Sequence, residues 1–326
     1  MYLVGDIGGT NARLSLLSPT GRKVRHEVFE SRKYTSLEAV AQVFLGKPTP
    51  RVTAAAFGVA GPVVNGRVAA TNFPWVIDAK TFARKLKIKR VSLLNDLVAL
   101  ALGSLDVKPA KLHVLGDAGA PKKKGANIAV LAAGTGLGEA ILVWDAERGT
   151  HVAAATEGGH TDFAPTDDLG VELFLFLRTR YAHVSYERIL SGNGVGALYD
   201  FFRQAKGIPE TAANAEAIAA APDRNAAISQ LGLEEKSEAA ARALELFAAV
   251  YGAEAANLAL KCLAVGGVYV CGNIAARLLP VLERGTFRRT FAEKGRFSSL
   301  LSKVPVAVVL DTDVGLAGAA RAAMAK

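Results

Sequence analysis

A chain of 326 residues exceeds the usual ceiling for one hydrophobic core, so two lobes with a ligand cleft between them are expected. Hydrophobic residues make up 51% of it, yet the sequence shows no apolar run of bilayer-crossing length, which argues against a membrane protein. The formal net charge of +9 raises nucleic acid as a partner, but the clusters Arg84-Lys85, Lys122-Lys123-Lys124 and Arg288-Arg289 come with no aromatic platform or recognition motif. They read as solvated faces that favour anionic substrates, and nucleic-acid binding is not expected.

The opening Met1-Tyr2-Leu3-Val4-Gly5-Asp6 already has the pattern of a buried strand and leaves no room for a cleavable leader, so a cytoplasmic location is expected. Strands are predicted over 2–7, 12–18 and near 24–30, then a helix over 36–45 and a buried run from Thr53 to Ala60 that stops at Gly61-Pro62. A short strand over 67–70, a helix over 82–86, a strand over 90–94 and a helix over 97–102 follow. This alternation predicts an α/β lobe with a mixed sheet. A polar stretch from Leu105 to Gly125 reads as the crossing into a second lobe. There the pattern restarts, with strands at 127–133 and 138–145, helices at 168–181 and 194–206, short helices and turns over 208–233, and an Ala-rich helical stretch from Glu234 to Leu263. Strands at 268–271 and 304–310 and a helix from about Val314 complete the chain.

Two stretches repeat one another. Val4-Gly5-Asp6-Ile7-Gly8-Gly9-Thr10 and Val130-Leu131-Ala132-Ala133-Gly134-Thr135-Gly136 each run from an apolar strand into a Gly/Thr turn and straight on into a second strand. The return comes too soon for a crossover helix, so each is a hairpin. Glycine permits positive φ and lets a ligand approach bare N–H groups, as a polyphosphate requires. Either turn alone is equally well a hairpin that needs glycine for its own geometry. The pair suggests a duplicated domain gripping a nucleotide from both sides. GxxxxGK[ST] is absent, and Gly134-Thr135-Gly136-Leu137-Gly138 lacks dinucleotide-fold spacing.

Asn95-Asp96 falls at the carboxyl end of a buried strand, where an open α/β sheet presents its ligand groups, although an Asp there also serves as a helix N-cap. With Glu157-Gly158-Gly159-His160 and Glu187, the set of two acids, an imidazole and an amide suits a polyol. A metal reading of Glu157 and His160 is disfavoured by the two glycines between them. His26, His113, His151 and His183 lack comparable company and read as surface or core residues. Cys262 and Cys271 lack metal-ligand spacing and read as buried hydrophobes. Gly272-Asn273, between a strand and a helix, is either a nucleoside edge or an ordinary loop.

Along nearly its whole length the chain resembles the bacterial glucokinases of the hexokinase type, in the actin-like ATPase superfamily. The resemblance rests on Asp6-Ile7-Gly8-Gly9-Thr10-Asn11-Ala12-Arg13, Gly58-Val59-Ala60-Gly61-Pro62, Thr71-Asn72-Phe73-Pro74-Trp75 and Leu94-Asn95-Asp96. It continues in Gly134-Thr135-Gly136-Leu137-Gly138, in the highly specific Glu157 to Pro165 segment, in Tyr186 to Gly192 and in Lys294-Gly295-Arg296-Phe297. The zinc-binding Cys/His segment of the related repressor and kinase group is absent. Where the family often has two glycines this chain has Gly272-Asn273, which puts the contact with adenine in question.

The resemblance implies a two-lobed α/β, actin-like ATPase (ribonuclease H-like) fold with a mixed sheet in each lobe and an interlobe cleft. It implies lobes at 1–108 plus 312–326 and at 109–311, with the C-terminal helix packed on the first. The implied reaction is transfer of the γ-phosphoryl of MgATP to the 6-hydroxyl of D-glucose, with Asp96 as general base. Asn95, Asp96, Glu157, His160 and Glu187 would bind the sugar. Asp6, Ile7, Gly8, Gly9, Thr10, Asn11, Gly134, Thr135, Gly136 and Gly272 would bind ATP, with Asp6 holding Mg2+. A homodimer is the further expectation. Kinases of other hexoses, polyphosphate donors and a catalytically silent sugar-responsive regulator are the rival readings.

Overall fold

The structure is a computed structural model and describes residues 1–69, 75–122 and 124–325. The chain divides into two compact units, one of Met1–Pro109, Ala153–Ala155 and Asp311–Lys326, the other of Ala110–Val152 and Thr156–Leu310.

The first unit begins with β1 (Tyr2–Ile7), β2 (Asn11–Leu17), β3 (Lys23–Glu30), α1 (Leu37–Leu45) and β4 (Ala54–Val59). It continues through β5 (Arg67–Ala69), β6 (Val76–Asp78), α2 (Ala79–Leu86), β7 (Arg90–Asn95) and α3 (Asp96–Ser104). Its five-stranded sheet runs β3-β2-β1-β4-β7, with β1 antiparallel to β2 and parallel to β4, and β4 parallel to β7. Alternation along β1 sends Leu3 and Ile7 to one face, with Phe44, Phe57 and Phe82, and Val4 to the other, with Ala56 and Leu17. That second face is covered by the C-terminal helix Val314–Met324 through Leu316, Ala319 and Ala323. The C-terminal helix also packs backbone to backbone on α3, since a Cβ on Gly103 would collide with the Val314 carbonyl and one on Gly318 with the Ala99 carbonyl.

In the second unit β8 (Leu112–Val114), β9 (Ile128–Ala133), β10 (Leu137–Asp145) and β11 (Thr150–Thr156, whose Ala153–Ala155 are grouped with the first unit) precede α4 (Asp168–Arg178) and α5 (Gly192–Asp200). Next come α6 (Ala212–Ala220), α7 (Arg224–Leu233), α8 (Glu238–Lys261), β12 (Gly267–Cys271) and α9 (Asn273–Arg277). Short helices α10 (Leu279–Leu282), α11 (Thr286–Ala292) and α12 (Ser298–Leu301) lead into β13 (Val306–Val309). The sheet order is β11-β10-β9-β12-β13-β8, with β9 antiparallel to β10 and parallel to β12, and β12 parallel to β13. The hairpin-then-parallel order of the first sheet is therefore repeated in the second. Helix α8 is the spine of the core, with Phe247 and Tyr251 buried against Phe287 and Phe291 of α11.

The mixed α/β character is as expected, and local chemistry explains the differences in extent. Side-chain caps set the helix starts: Asp78 accepts the Thr81 N–H and begins α2 three residues early, and Ser237 accepts the Ala240 N–H and delays α8 to Glu238. The helix expected over 194–206 is α5 followed by a π-helical turn, Phe201–Ala205. Three strands went unforeseen: β6, because Val76–Asp78 is only three residues long, β11, because Thr150–Thr156 is alanine-rich, and β8, because it lies in the polar crossing. By length and composition α8 could cross a bilayer, contrary to the reading of the apolar runs, but 78% of its most apolar window is buried inside the protein. The segment Thr71 to Pro74 lies outside the described residues.

Candidate active site

In the first unit, Asp6 and Ile7 end β1, and the turn to β2 is closed by the Gly8 N–H donating to the Asn11 carbonyl at 2.9 Å. Ile7 is buried in the core, so only its backbone is available to a ligand, whereas Thr10 and Asn11 are exposed. Ser31, fully buried, clamps the turn from behind: its Oγ–H donates to the Gly8 carbonyl at 2.8 Å and its N–H to the Thr10 carbonyl at 2.9 Å. This role is not legible in the sequence, because Ser31-Arg32-Lys33 has the composition of an ordinary surface loop. Burial pushes the Asp6 carboxyl above its usual range, against the pull of Arg13, whose Nη1 is 4.0 Å from Asp6 Oδ2. Gly315 leaves room beside that carboxylate, since a Cβ there would be 3.6 Å from Asp6 Cγ. A carboxylate that is largely but not wholly buried, with one guanidinium nearby, fits a divalent cation, directly or through water.

Asn95 and Asp96 join β7 to α3. Asn95, not Asp96, is the N-cap: its Oδ1 accepts the N–H groups of Leu97 and Val98 at 2.9 and 3.3 Å. Its Nδ2 donates to the Gly61 carbonyl at 3.2 Å, which ties the strand end to the Gly61-Pro62 turn. Asp96 is the first residue of the helix, its Oδ1 accepting the Leu97 N–H at 3.0 Å, so the positive end of α3 supports its negative charge.

In the second unit the Gly134–Gly136 turn closes on itself through the Gly134 N–H and Gly136 carbonyl at 2.8 Å, and the Gly192 N–H of α5 donates to the Gly134 carbonyl at 2.9 Å. Neither Gly134 nor Gly136 has positive φ, and Gly8 does not either, so backbone strain is not why glycine stands there. The reason at Gly136 is proximity, since a Cβ would collide with the Glu187 carboxylate. A Cβ at Gly134 would meet nothing within 4 Å. Positive φ falls instead on Gly272, at +92°, where a Cβ would be 2.7 Å from the Ala133 carbonyl oxygen. Asn273 is the first helical residue of α9 and has no positive φ, so the turn does not need a second glycine for its backbone.

Glu157 precedes a single 3-10 turn, Gly158–His160. Its glycines are required by packing on β10: a Cβ on Gly158 would strike the Glu139 carboxyl, and one on Gly159 the Leu137 carbonyl. Main-chain bonds from Phe163 to Val184 and from Tyr186 to Thr161 bring this turn beside Glu187, whose Oε1 is 3.9 Å from His160 Nδ1. Two cavities flank the second glycine turn. One, about 380 Å3, is lined by Gly134, Thr135, Asn193, Asn225, Asn273 and Ile274. The other, about 340 Å3, is lined by Thr135, Glu187, Arg180, Arg188, Asp200 and Arg224. All four remaining histidines have polar partners that the sequence reading did not foresee: His26 with Ser15, His113 with Glu283, His151 with the Ala126 carbonyl and His183 with Asp162.

A family model described as glucokinase matches residues 3–326. The chain is 36% identical to a glucokinase of Nostoc sp. and 38% identical to one of Synechocystis sp., covering 98% of this chain in both cases and 98% and 96% of the relatives. The chain belongs to the glucokinase family.

It is accordingly a sugar-phosphorylating kinase. Among solved structures, a glucokinase from an Antarctic psychrotroph superposes with a TM-score of 0.85 at 31% identity, covering 99% of this chain and 98% of that one. A Balamuthia mandrillaris glucokinase solved with glucose gives a TM-score of 0.81 at 20% identity, covering 99% and 93%, and a Streptomyces griseus ROK-family glucokinase solved with glucose and AMPPNP gives 0.65 at 22%, covering 99% and 98%. These two bear on the fold alone; with the psychrotroph enzyme, at 31% identity, they give the glucokinase and ROK-kinase fold, that of the actin-like ATPases.

Proposed function

We propose that the chain transfers the γ-phosphoryl group of MgATP to the 6-hydroxyl of D-glucose, with Asp96 as general base. The observation that carries the assignment is Asp96 itself, a carboxylate held at a helix start immediately after a strand end that Asn95 caps and ties down. Phosphoryl transfer depends chiefly on positioning and charge stabilisation, and a rigid carboxylate suits the task of orienting a hydroxyl and accepting its proton.

Asn95, Glu157, His160 and Glu187 are assigned to the ring hydroxyls. Glu187 and His160 are held side by side, and Asn95, whose amide already serves three structural bonds, has one Nδ2 hydrogen left for a hydroxyl while it fixes Asp96. For the phosphates, the N–H groups of Gly9, Thr10, Thr135 and Gly136 are assigned, since those of Gly8 and Gly134 are engaged within their own turns. Ile7 and Asn11 flank the first turn; the cavity of about 380 Å3 is assigned to the nucleoside, and Gly272 is assigned there through its neighbour Asn273, which lines it. Asp6 would hold Mg2+, which when bound neutralises charge on the transferring group. A cytoplasmic enzyme and a homodimer are part of the same reading and rest on likeness to the family alone.

The test is glucose 6-phosphate production from glucose and MgATP, followed with a coupled dehydrogenase, alongside mannose, fructose, glucosamine and polyphosphate. Preference for glucose and ATP is expected. Faster turnover of another hexose or donor would replace the assignment, and no turnover of any would favour a silent sugar-responsive protein.

A further inference from the structure

Behind the Gly158–His160 turn lies a buried acid pair that phosphoryl transfer does not use. Glu139 of β10 and Glu254 of α8 are 1% and 0% exposed. Among the described residues, neither Glu139 oxygen has a hydrogen-bond partner, nor does Glu254 Oε1, while Glu254 Oε2 accepts from Asn257 Nδ2 at 2.8 Å. The compensating charge is sparse. Lys261 Nζ is 3.8 Å from Glu254 Oε1, and Lys294 Nζ donates to Asn257 Oδ1 at 2.7 Å. The other titratable neighbours are Tyr251 of α8 and Tyr186 beside Glu187, whose hydroxyl accepts from Asn257 at 2.9 Å. From the turn itself it is the Gly158 backbone that meets Glu139, so closely that no side chain fits between them. A neutral carboxyl can be held dry in such a place, whereas a second buried carboxylate must draw in water or move what covers it.

We propose that Glu139 is a positioning residue for the sugar-binding turn: neutral, it fills the space beneath Gly158 and fixes Glu157 and His160, and its ionisation displaces the turn and weakens glucose binding. Glu157 and His160 lie on either side of the two glycines that touch β10, so a shift there moves both. Burial first, and the charge of Glu254 second, push the Glu139 carboxyl up to about 8, which sets the pH at which the change occurs. The inference rests on the reading of Glu157 and His160 as glucose ligands.

If only the protonated form holds the turn, glucose KM rises about tenfold between pH 7 and pH 9 with kcat much less affected. Glu139→Gln, a neutral isostere, keeps the neutral-pH KM and flattens the profile. Glu254→Gln moves the midpoint below that of the parent and covers the case in which Glu139→Gln does not fold. A binding-independent readout accompanies them: the Gly158 and Gly159 amide resonances of the 15N-labelled chain should shift with a midpoint near 8 and stay fixed in Glu139→Gln. Identical KM profiles in parent and Glu139→Gln, or glycine amides that do not titrate with Glu139, would overturn the proposal. A parent that does not phosphorylate glucose yet shows the amide titration would overturn the functional reading and leave the coupling between acid and turn standing.

Discussion

The Glu187 carboxylate is shared between two parts of the second unit: Oε2 accepts the Leu137 N–H at 3.0 Å, and Oε1 lies 3.9 Å from His160 Nδ1. One side chain thus braces the strand that leaves the second glycine turn and stands beside a residue assigned to the sugar. Glu187→Ala should raise the KM of both glucose and ATP, each by roughly tenfold, the cost of about one good hydrogen bond to a charged group. Glu187→Gln, which can still accept the Leu137 N–H, should raise glucose KM alone. Steady-state kinetics with each substrate varied in turn distinguishes them.

Gly134 and Gly136 separate a ligand's need for space from the fold's. A methyl at Gly134 meets no protein atom and no backbone strain, so Gly134→Ala should leave Tm unchanged while weakening ATP binding at least tenfold. Gly136→Ala should lower Tm as well, since its methyl must displace Glu187, by about 1–3 kcal/mol of stability. Thermal unfolding with calorimetric titration of ATP reads both. Unchanged ATP affinity in Gly134→Ala would remove the phosphates from that turn.

The acid pair also affects the pH dependence of stability. Glu139 titrates near 8 when folded and near 4.5 when unfolded, so between those values the folded chain keeps a proton that the unfolded chain has released. Stability from this group is full below pH 4.5 and falls as pH rises toward 8. The parent should lose Tm across pH 5–8 more steeply than Glu139→Gln. Parallel curves would show that Glu139 ionises in the ordinary range.

In the first unit, the C-terminal helix approaches α3 at two glycines. Gly318→Ala would drive a methyl into the Ala99 carbonyl and should cost about 3 kcal/mol or more, read as a lowered urea midpoint.

Much of this was legible in the sequence, because strands and glycine turns follow local rules. The hairpins at Asp6–Arg13 and Ala133–Leu137 followed from two apolar runs too close for a crossover, and Glu157-Gly158-Gly159-His160 stood out as an acid, a histidine and two glycines. The roles of those glycines did not follow, because the groups they touch, Glu139, Leu137 and Glu187, are contacts made only on folding. Ser31 was invisible for the same reason, its partners lying 21 and 23 residues earlier in the chain. The cap at Asn95 was misassigned to Asp96 by one residue, a distinction that depends on where the strand stops.

The central claim is that Asp96 does the proton transfer, and the most direct measurement pairs turnover with binding in Asp96→Asn, which keeps an oxygen for the Leu97 N–H. Glucose affinity by calorimetry should stay within a few-fold of the parent while kcat for glucose 6-phosphate formation falls by about 10²–10⁴. A variant that turns over at the parent's rate, or that loses glucose binding while keeping turnover at saturation, would contradict the account.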